Sequence, residues 1–223
     1  MAKNRVTRKQ QLKEPDEFIT TASRVVEWAR ENTRALVVGI CVLLAIAALL
    51  SIYSYHRQSR ADTAEMRLGQ ALDKYETAME GKDATAALAA VRDDFNVLTE
   101  SYGGTPAGRL GAVIYGNLCI AGLDYDDAVV QYKKSLARFG TGSSLSNVIL
   151  NGLATAYQQK GDYNQAVSYY TQMADGTGQV LKDAALYNLG RLYGQLGKAD
   201  ESREAYNRLG AEFPQSMYAA LVK

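Results

Sequence analysis

Two stretches of this chain carry the same pattern. Leu150, Leu153, Ala154, Tyr157, Gly161, Ala166 and Tyr170 are answered by Leu186, Leu189, Gly190, Tyr193, Gly197, Ser202 and Tyr206, each 36 residues further on. A third copy lies upstream, where Gly116, Tyr125, Ala128 and Tyr132 precede Ala154, Tyr163, Ala166 and Tyr170 by a constant 38. A period of this length implies stacked copies of one small unit, because each copy alone leaves an apolar face uncovered. Within a copy the apolar residues follow helical spacing, and no alternating β-branched run competes with that reading. Breakers fall between the periodic segments at Gly122, Gly140-Thr141-Gly142, Gly161, Gly176-Thr177-Gly178, Gly197 and Pro214.

Each recurring residue type has a physical reason. Gly or Ala in the first helix, and Ala or Ser in the second, let two helices approach closely. Large residues at the Tyr157 and Tyr170 positions fill the space between hairpins. Gly161 and Gly197 suit a left-handed cap that ends the first helix, and Asp162 suits the start of the next. The pattern is that of the tetratricopeptide repeat, a helix–turn–helix unit of about 34 residues. The expected fold class is all-α: a single N-terminal transmembrane helix followed by a tetratricopeptide-repeat (TPR) α-solenoid over 61–223. The repeats are placed at about 109–142, 147–178 and 183–214, with a degenerate copy at about 62–106. In that copy Phe95-Asn96, Leu98 and Tyr102 echo Tyr206-Asn207, Leu209 and Phe213. Its candidate helices run from Ala61 to Ala78 and from Ala84 to about Tyr102, and Met217 to Leu221 suits a terminal cap.

The anchor is read from 35–55, where no charged side chain occurs and Leu, Ile, Val and Ala dominate. A bilayer core of roughly 30 Å takes about 20 apolar residues in helical form. A buried core helix of that length would carry a polar stripe, and none appears before Ser51. A cleavable signal has a shorter apolar run of about 7–15 residues and a small-residue cleavage site. Tyr53-Ser54-Tyr55-His56-Arg57 is not such a site. Before the anchor, Pro15-Asp16-Glu17 signals a helix start. Phe18, Ile19, Ala22, Val25, Val26 and Ala29 then recur at helical spacing over 15–34, the pattern of an amphipathic juxtamembrane helix. Trp28 on one side of the span and Tyr53 and Tyr55 on the other suit the two interfacial belts. Residues 1–14 form a basic tail, open to either lipid headgroups or plain solvation.

Charge supplies a direction. Residues 1–60 hold 10 Lys/Arg and 5 Asp/Glu, 10 − 5 = +5, while 61–223 hold 15 and 19, 15 − 19 = −4. Short basic segments resist translocation and long domains cross regardless of charge. The expected topology is therefore a cytoplasmic N-terminus and a C-terminal domain on the far side, although Arg57, Arg60 and Arg67 pull the other way. Cys41 in the span and Cys119 in the repeats cannot pair within one chain, so the core alone must hold the domain, with Cys119 as a small buried side chain.

The chemistry of an enzyme is thin here. The single histidine, His56, stands at the membrane boundary, which leaves no His-based triad or zinc set. Gly140-Thr141-Gly142-Ser143-Ser144 lacks the lysine and spacing of a phosphate loop. Asp93-Asp94 and Asp126-Asp127 read as solvated faces. The expectation is no enzyme, with no catalytic residues, cofactor or metal site. The net acidic repeat region also argues against a nucleic-acid partner.

A protein or peptide partner is expected instead, on the groove lined by the first helices of successive hairpins. The groove-facing positions are Asn117 in the first clear copy, Asn151, Thr155, Gln158 and Gln159 in the second, and Tyr187, Arg191 and Gln195 in the third. Carboxamides, one aromatic and one arginine suit hydrogen bonding to a peptide backbone. The same residues suit the plain polar side of surface helices. Eukaryotic carboxylate-clamp repeats place a lysine where this chain has Val113, so that mode is not expected despite Asn117.

The stretch Val26-Glu27-Trp28-Ala29-Arg30-Glu31-Asn32-Thr33-Arg34-Ala35-Leu36-Val37-Val38-Gly39 resembles the start of the YfgM-type ancillary subunits of the Sec translocon. The resemblance implies a bacterial inner-membrane, single-pass protein with a periplasmic repeat domain. Its implied partners are the Sec translocon and periplasmic chaperones. Glu212-Phe213-Pro214-Gln215-Ser216 is also similar to repeat proteins of envelope assembly, which keeps open a structural scaffold or homo-oligomer.

Overall fold

The computed structural model describes residues 17–140 and 145–222, with side chains from Ser23 onward. The basic tail at 1–14, the Pro15-Asp16 start signal and most of the Gly140–Ser144 turn lie outside the described residues. Two compact units divide the chain, Met1–Arg57 and Gln58–Lys223.

In the first unit, helix α1 spans Glu17–Glu31 and helix α2 begins at Thr33. The helix is interrupted at Asn32, although the Asn32 backbone N–H still donates to the Trp28 carbonyl at 2.9 Å and the Asn32 carbonyl still accepts from Leu36 N at 3.0 Å. Asn32 Nδ2 donates to the Trp28 carbonyl at 2.9 Å. Thr33 Oγ1 donates to the carbonyls of Ala29 and Arg30 at 3.1 and 2.8 Å. A notch lined by Arg30 to Ala35 opens at the break. Beyond it α2 is continuous over Thr33–Met79 and holds one window long and apolar enough to cross a membrane. That window and the helix expected from Ala61 are therefore one element: nothing between them, neither Gly nor Pro nor a cap, stops helical hydrogen bonding.

The second unit is a row of hairpins, and no strand occurs among the described residues. The end of α2 pairs with α3 (Ala84–Ser101), α4 (Pro106–Ala121) with α5 (Tyr125–Phe139), and α6 (Ser146–Gln159) with α7 (Tyr163–Asp175). Then α8 (Lys182–Gln195) pairs with α9 (Ala199–Glu212), and the short α10 (Met217–Leu221) follows. Asp83, Asp124 and Asp162 cap the second helices of the first three hairpins by accepting from backbone N–H groups. Gly161 and Gly197 end their first helices at φ 78° and 74°. In the preceding hairpin the equivalent residue is Leu123, at φ 64°.

Two apolar clusters form the core. The first joins Ala64, Leu68 and Ala71 of α2 to α3, α4 and α5, and includes Phe95, Tyr115, Cys119 and Tyr132. The second runs from Leu150 and Ala154 to Leu209 and Ala219. Helix α6 serves both: Ile149, Leu153 and Ala156 enter the first, Leu150 and Ala154 the second. Half-buried Leu136, Tyr157 and Tyr169 pack against both clusters. The small residues accommodate tyrosine rings. Tyr132 is fully buried with its ring against Gly116 and Gly152, where an added methyl would overlap ring atoms, and Gly190 makes the same room for Tyr206.

Asp127 corrects the reading of Asp126-Asp127 as a solvated pair. It accepts from Tyr115 Oη at 2.9 Å, Arg92 Nη1 at 3.1 Å and Gln131 Nε2 at 3.0 Å. Adjacent helical residues diverge, so only one of the two can face outward, and Asp126 does, paired with Lys160. Burial beside Asp127 pushes the Tyr115 hydroxyl and the Cys119 thiol upward, so both stay protonated. Cys119 is fully buried and chemically quiet.

Candidate functional site: the first-helix face

The expected groove positions fall on α4, α6 and α8. A regular internal pairing organises three of them: Asn117, Thr155 and Arg191 each have a tyrosine 15 residues later, on the second helix of the same hairpin. Asn117 Oδ1 accepts the hydroxyl of Tyr132. Thr155 Oγ1 lies 3.5 Å from the hydroxyl of Tyr170. The third pair is Arg191 and Tyr206. Asn117 and Thr155 are thus engaged within their own hairpins, which limits what they can offer a ligand.

Burial raises Tyr132, Tyr170 and Tyr206 above the ordinary phenol range, so all three are neutral at pH 7. Nearby Arg191 works against burial at Tyr170 and Tyr206. Arg191 sits 5.9 Å over the Tyr187 ring and donates from Nη1 to Asn188 Oδ1 at 3.2 Å. Tyr187 in turn stacks on Tyr218 of α10, with ring centres 5.1 Å apart, and stands 6.3 Å from Tyr206. Tyr187 and Arg191 are therefore brought together, within an aromatic cluster at the C-terminal end of the row.

Asn151 and Gln158 are half-buried and Gln159 and Gln195 exposed. None of these four side chains makes a hydrogen bond among the described residues. Their amides carry donors and acceptors in pairs, the complement of a peptide group. Sequence reasoning assigned Tyr170 and Tyr206 to packing and left out Tyr218. The constant 15-residue offset was the signal that could have placed the tyrosine hydroxyls on this face. Among the described residues no group of His, Cys, Asp or Glu is arranged to hold a metal.

A row of hairpins with unfilled amides at Asn151, Gln158, Gln159 and Gln195 along its first helices defines a helical-repeat scaffold for protein interactions. The model of the tetratricopeptide repeat-like domain family matches residues 27–223, and the chain belongs to that family. A tetratricopeptide repeat protein from Parabacteroides merdae ATCC 43184 superposes with a TM-score of 0.55 at 17% identity. The match covers 70% of this chain and 57% of that one, so the chain spans little more than half of that protein's length. The crystal structure of MamA matches with a TM-score of 0.47 at 17% identity, over 63% of this chain and 74% of MamA. No curated protein matches the sequence significantly.

Proposed function

We propose that this chain is a membrane-tethered scaffold of the bacterial envelope that holds protein segments near the Sec translocon and assists their secretion or periplasmic folding. The observation that carries the reading is the combination of an uncharged 35–55 stretch in helical form with a repeat domain in which the first-helix amides of Asn151, Gln158, Gln159 and Gln195 make no hydrogen bond among the described residues. The Glu31-Asn32 junction and its resemblance to translocon-associated subunits point to the place of work. The charge asymmetry supports a cytoplasmic N-terminus and a periplasmic repeat domain. No catalytic step is part of this reading.

The test is site-specific photo-crosslinking in intact cells from Gln158 and Gln195, with Lys134 on a second helix as control. Crosslinks from the first two sites to translocon components, chaperones or exported chains, and not from the control, are the expected result. Equal labelling from all three sites would refute the groove. A reporter fused after Lys223 that is active only in the cytoplasm would reverse the topology.

A second reading, a self-associating spacer in envelope assembly, is favoured by one observation. Met217 and Leu221 stand 72% and 65% exposed on α10, at the last turn of the row. A concentration-dependent oligomer of residues 58–223 that dissociates on Leu221→Asp would favour it over the scaffold.

A further inference from the structure

The break at Asn32 separates two helices of different character. Downstream, α2 opens on the apolar stretch at 35–55. Upstream, α1 is a 15-residue helix that places Val25, Val26 and Ala29 along one side, the described part of the helical spacing read from the sequence. Trp28 and Arg30 border that side on opposite flanks, and Arg24, Glu27 and Glu31 occupy the other. Val25, Val26 and Trp28 are 61%, 52% and 56% exposed among the described residues. Had α1 simply continued the anchor straight outward, Trp28 would stand about 10 Å beyond Ala35, at 1.5 Å per residue, with the apolar side in water. The interruption of the helix between Glu31 and Thr33 and the notch at Arg30–Ala35 mark the point at which the chain can turn instead.

We infer that α1 is an interfacial helix that lies on the phospholipid surface where the anchor enters, with Val25, Val26 and Ala29 in the acyl boundary and Trp28 at headgroup level. The occupant of its apolar side is lipid. The side has the width and flanking residues of a helix that rests in the interface plane, and the basic residues Lys3, Arg5, Arg8, Lys9 and Lys13 precede it. This inference rests on the reading of α2 as a membrane anchor.

Trp28 is the only tryptophan, which makes the test direct. The full chain is reconstituted into phosphatidylcholine–phosphatidylglycerol vesicles, and Trp28 emission is measured against acyl chains brominated near the headgroup, acyl chains brominated near the terminal methyl, and aqueous iodide. The expected result is stronger quenching by the shallow bromines than by the deep ones, at least twofold, with iodide weak. In Val25→Asp/Val26→Asp the bromine quenching disappears and iodide quenching rises several-fold. Wild-type Trp28 quenched by iodide and by neither bromine overturns the inference, as does quenching that is strongest near the bilayer centre. Alkaline carbonate extraction of the same vesicles tests the anchor separately: protein retained with Trp28 in water refutes the interfacial helix alone, and protein released refutes the anchor.

Discussion

Introducing one methyl group at Gly152 should cost the repeat domain about 2 kcal/mol, although the same change normally stabilises a helix. In a helix interior Gly→Ala gains about 1 kcal/mol. Gly69 in α2 has no atom within 4 Å of where its Cβ would stand, so Gly69→Ala should deliver that gain. At Gly152 the added Cβ would overlap three atoms of the Tyr132 ring, which is fully buried and also backed by Gly116. The ring has no free space to move into. Overpacking of that kind costs typically 1–3 kcal/mol, and an overlap this deep belongs at the top of the range. The net is about 3 − 1 = 2 kcal/mol, a midpoint lower by roughly 4–8 °C for a domain of this size. Urea and thermal unfolding of residues 58–223, followed by circular dichroism at 222 nm (on the order of the helical minimum), would measure both variants. Tyr132→Leu removes the overlapped atoms, so the double variant should be more stable than the sum of the singles by at least about 1 kcal/mol. A Gly152→Ala domain as stable as Gly69→Ala would refute the claim that this ring locks one hairpin to the next.

Three further outcomes are expected. Gly161→Ala meets no neighbour but sits at φ 78°, so it should lower stability by about 1 kcal/mol in the same unfolding assay. Asn147 is buried and donates to the carbonyls of Gly178 and Val180 at 3.1 and 2.8 Å; Asn147→Ala should cost about 1–3 kcal/mol and expose the 176–181 loop to limited proteolysis. The Arg92 guanidinium holds Asp124 below the ordinary carboxylate range, so its contribution is present above the unfolded pKa of about 3.9 and is lost as pH falls through the lower folded value. Asp124→Asn should accordingly flatten the acid limb of the stability curve below about pH 4 and leave its slope near neutrality unchanged.

The hairpins were legible because glycine and tyrosine recur where the physics leaves little choice. Gly161 and Gly197 occupy the left-handed cap, and the bond from residue Asp162 back to the Tyr157 carbonyl repeats from Lys198 to Tyr193. The first clear copy makes the same bond, Asp124 to Cys119, around Leu123, so glycine spacing pointed one residue early, to Gly122. Gly122 is needed for a different reason: a methyl there would press 2.6 Å from Leu88. The candidate face was only half visible. Helical phase identifies which side of α4, α6 or α8 points away from the core. It does not show that Tyr132 and Tyr170 reach across from the second helices and engage Asn117 and Thr155. Asp127 was misread for a related reason, since its partner Arg92 belongs to the previous hairpin.

Helix α6, with one side in each apolar cluster, ties the two halves of the row together. Three half-buried side chains, Leu136, Tyr157 and Tyr169, are shared by both clusters. A change in any of the three therefore reaches both cores at once.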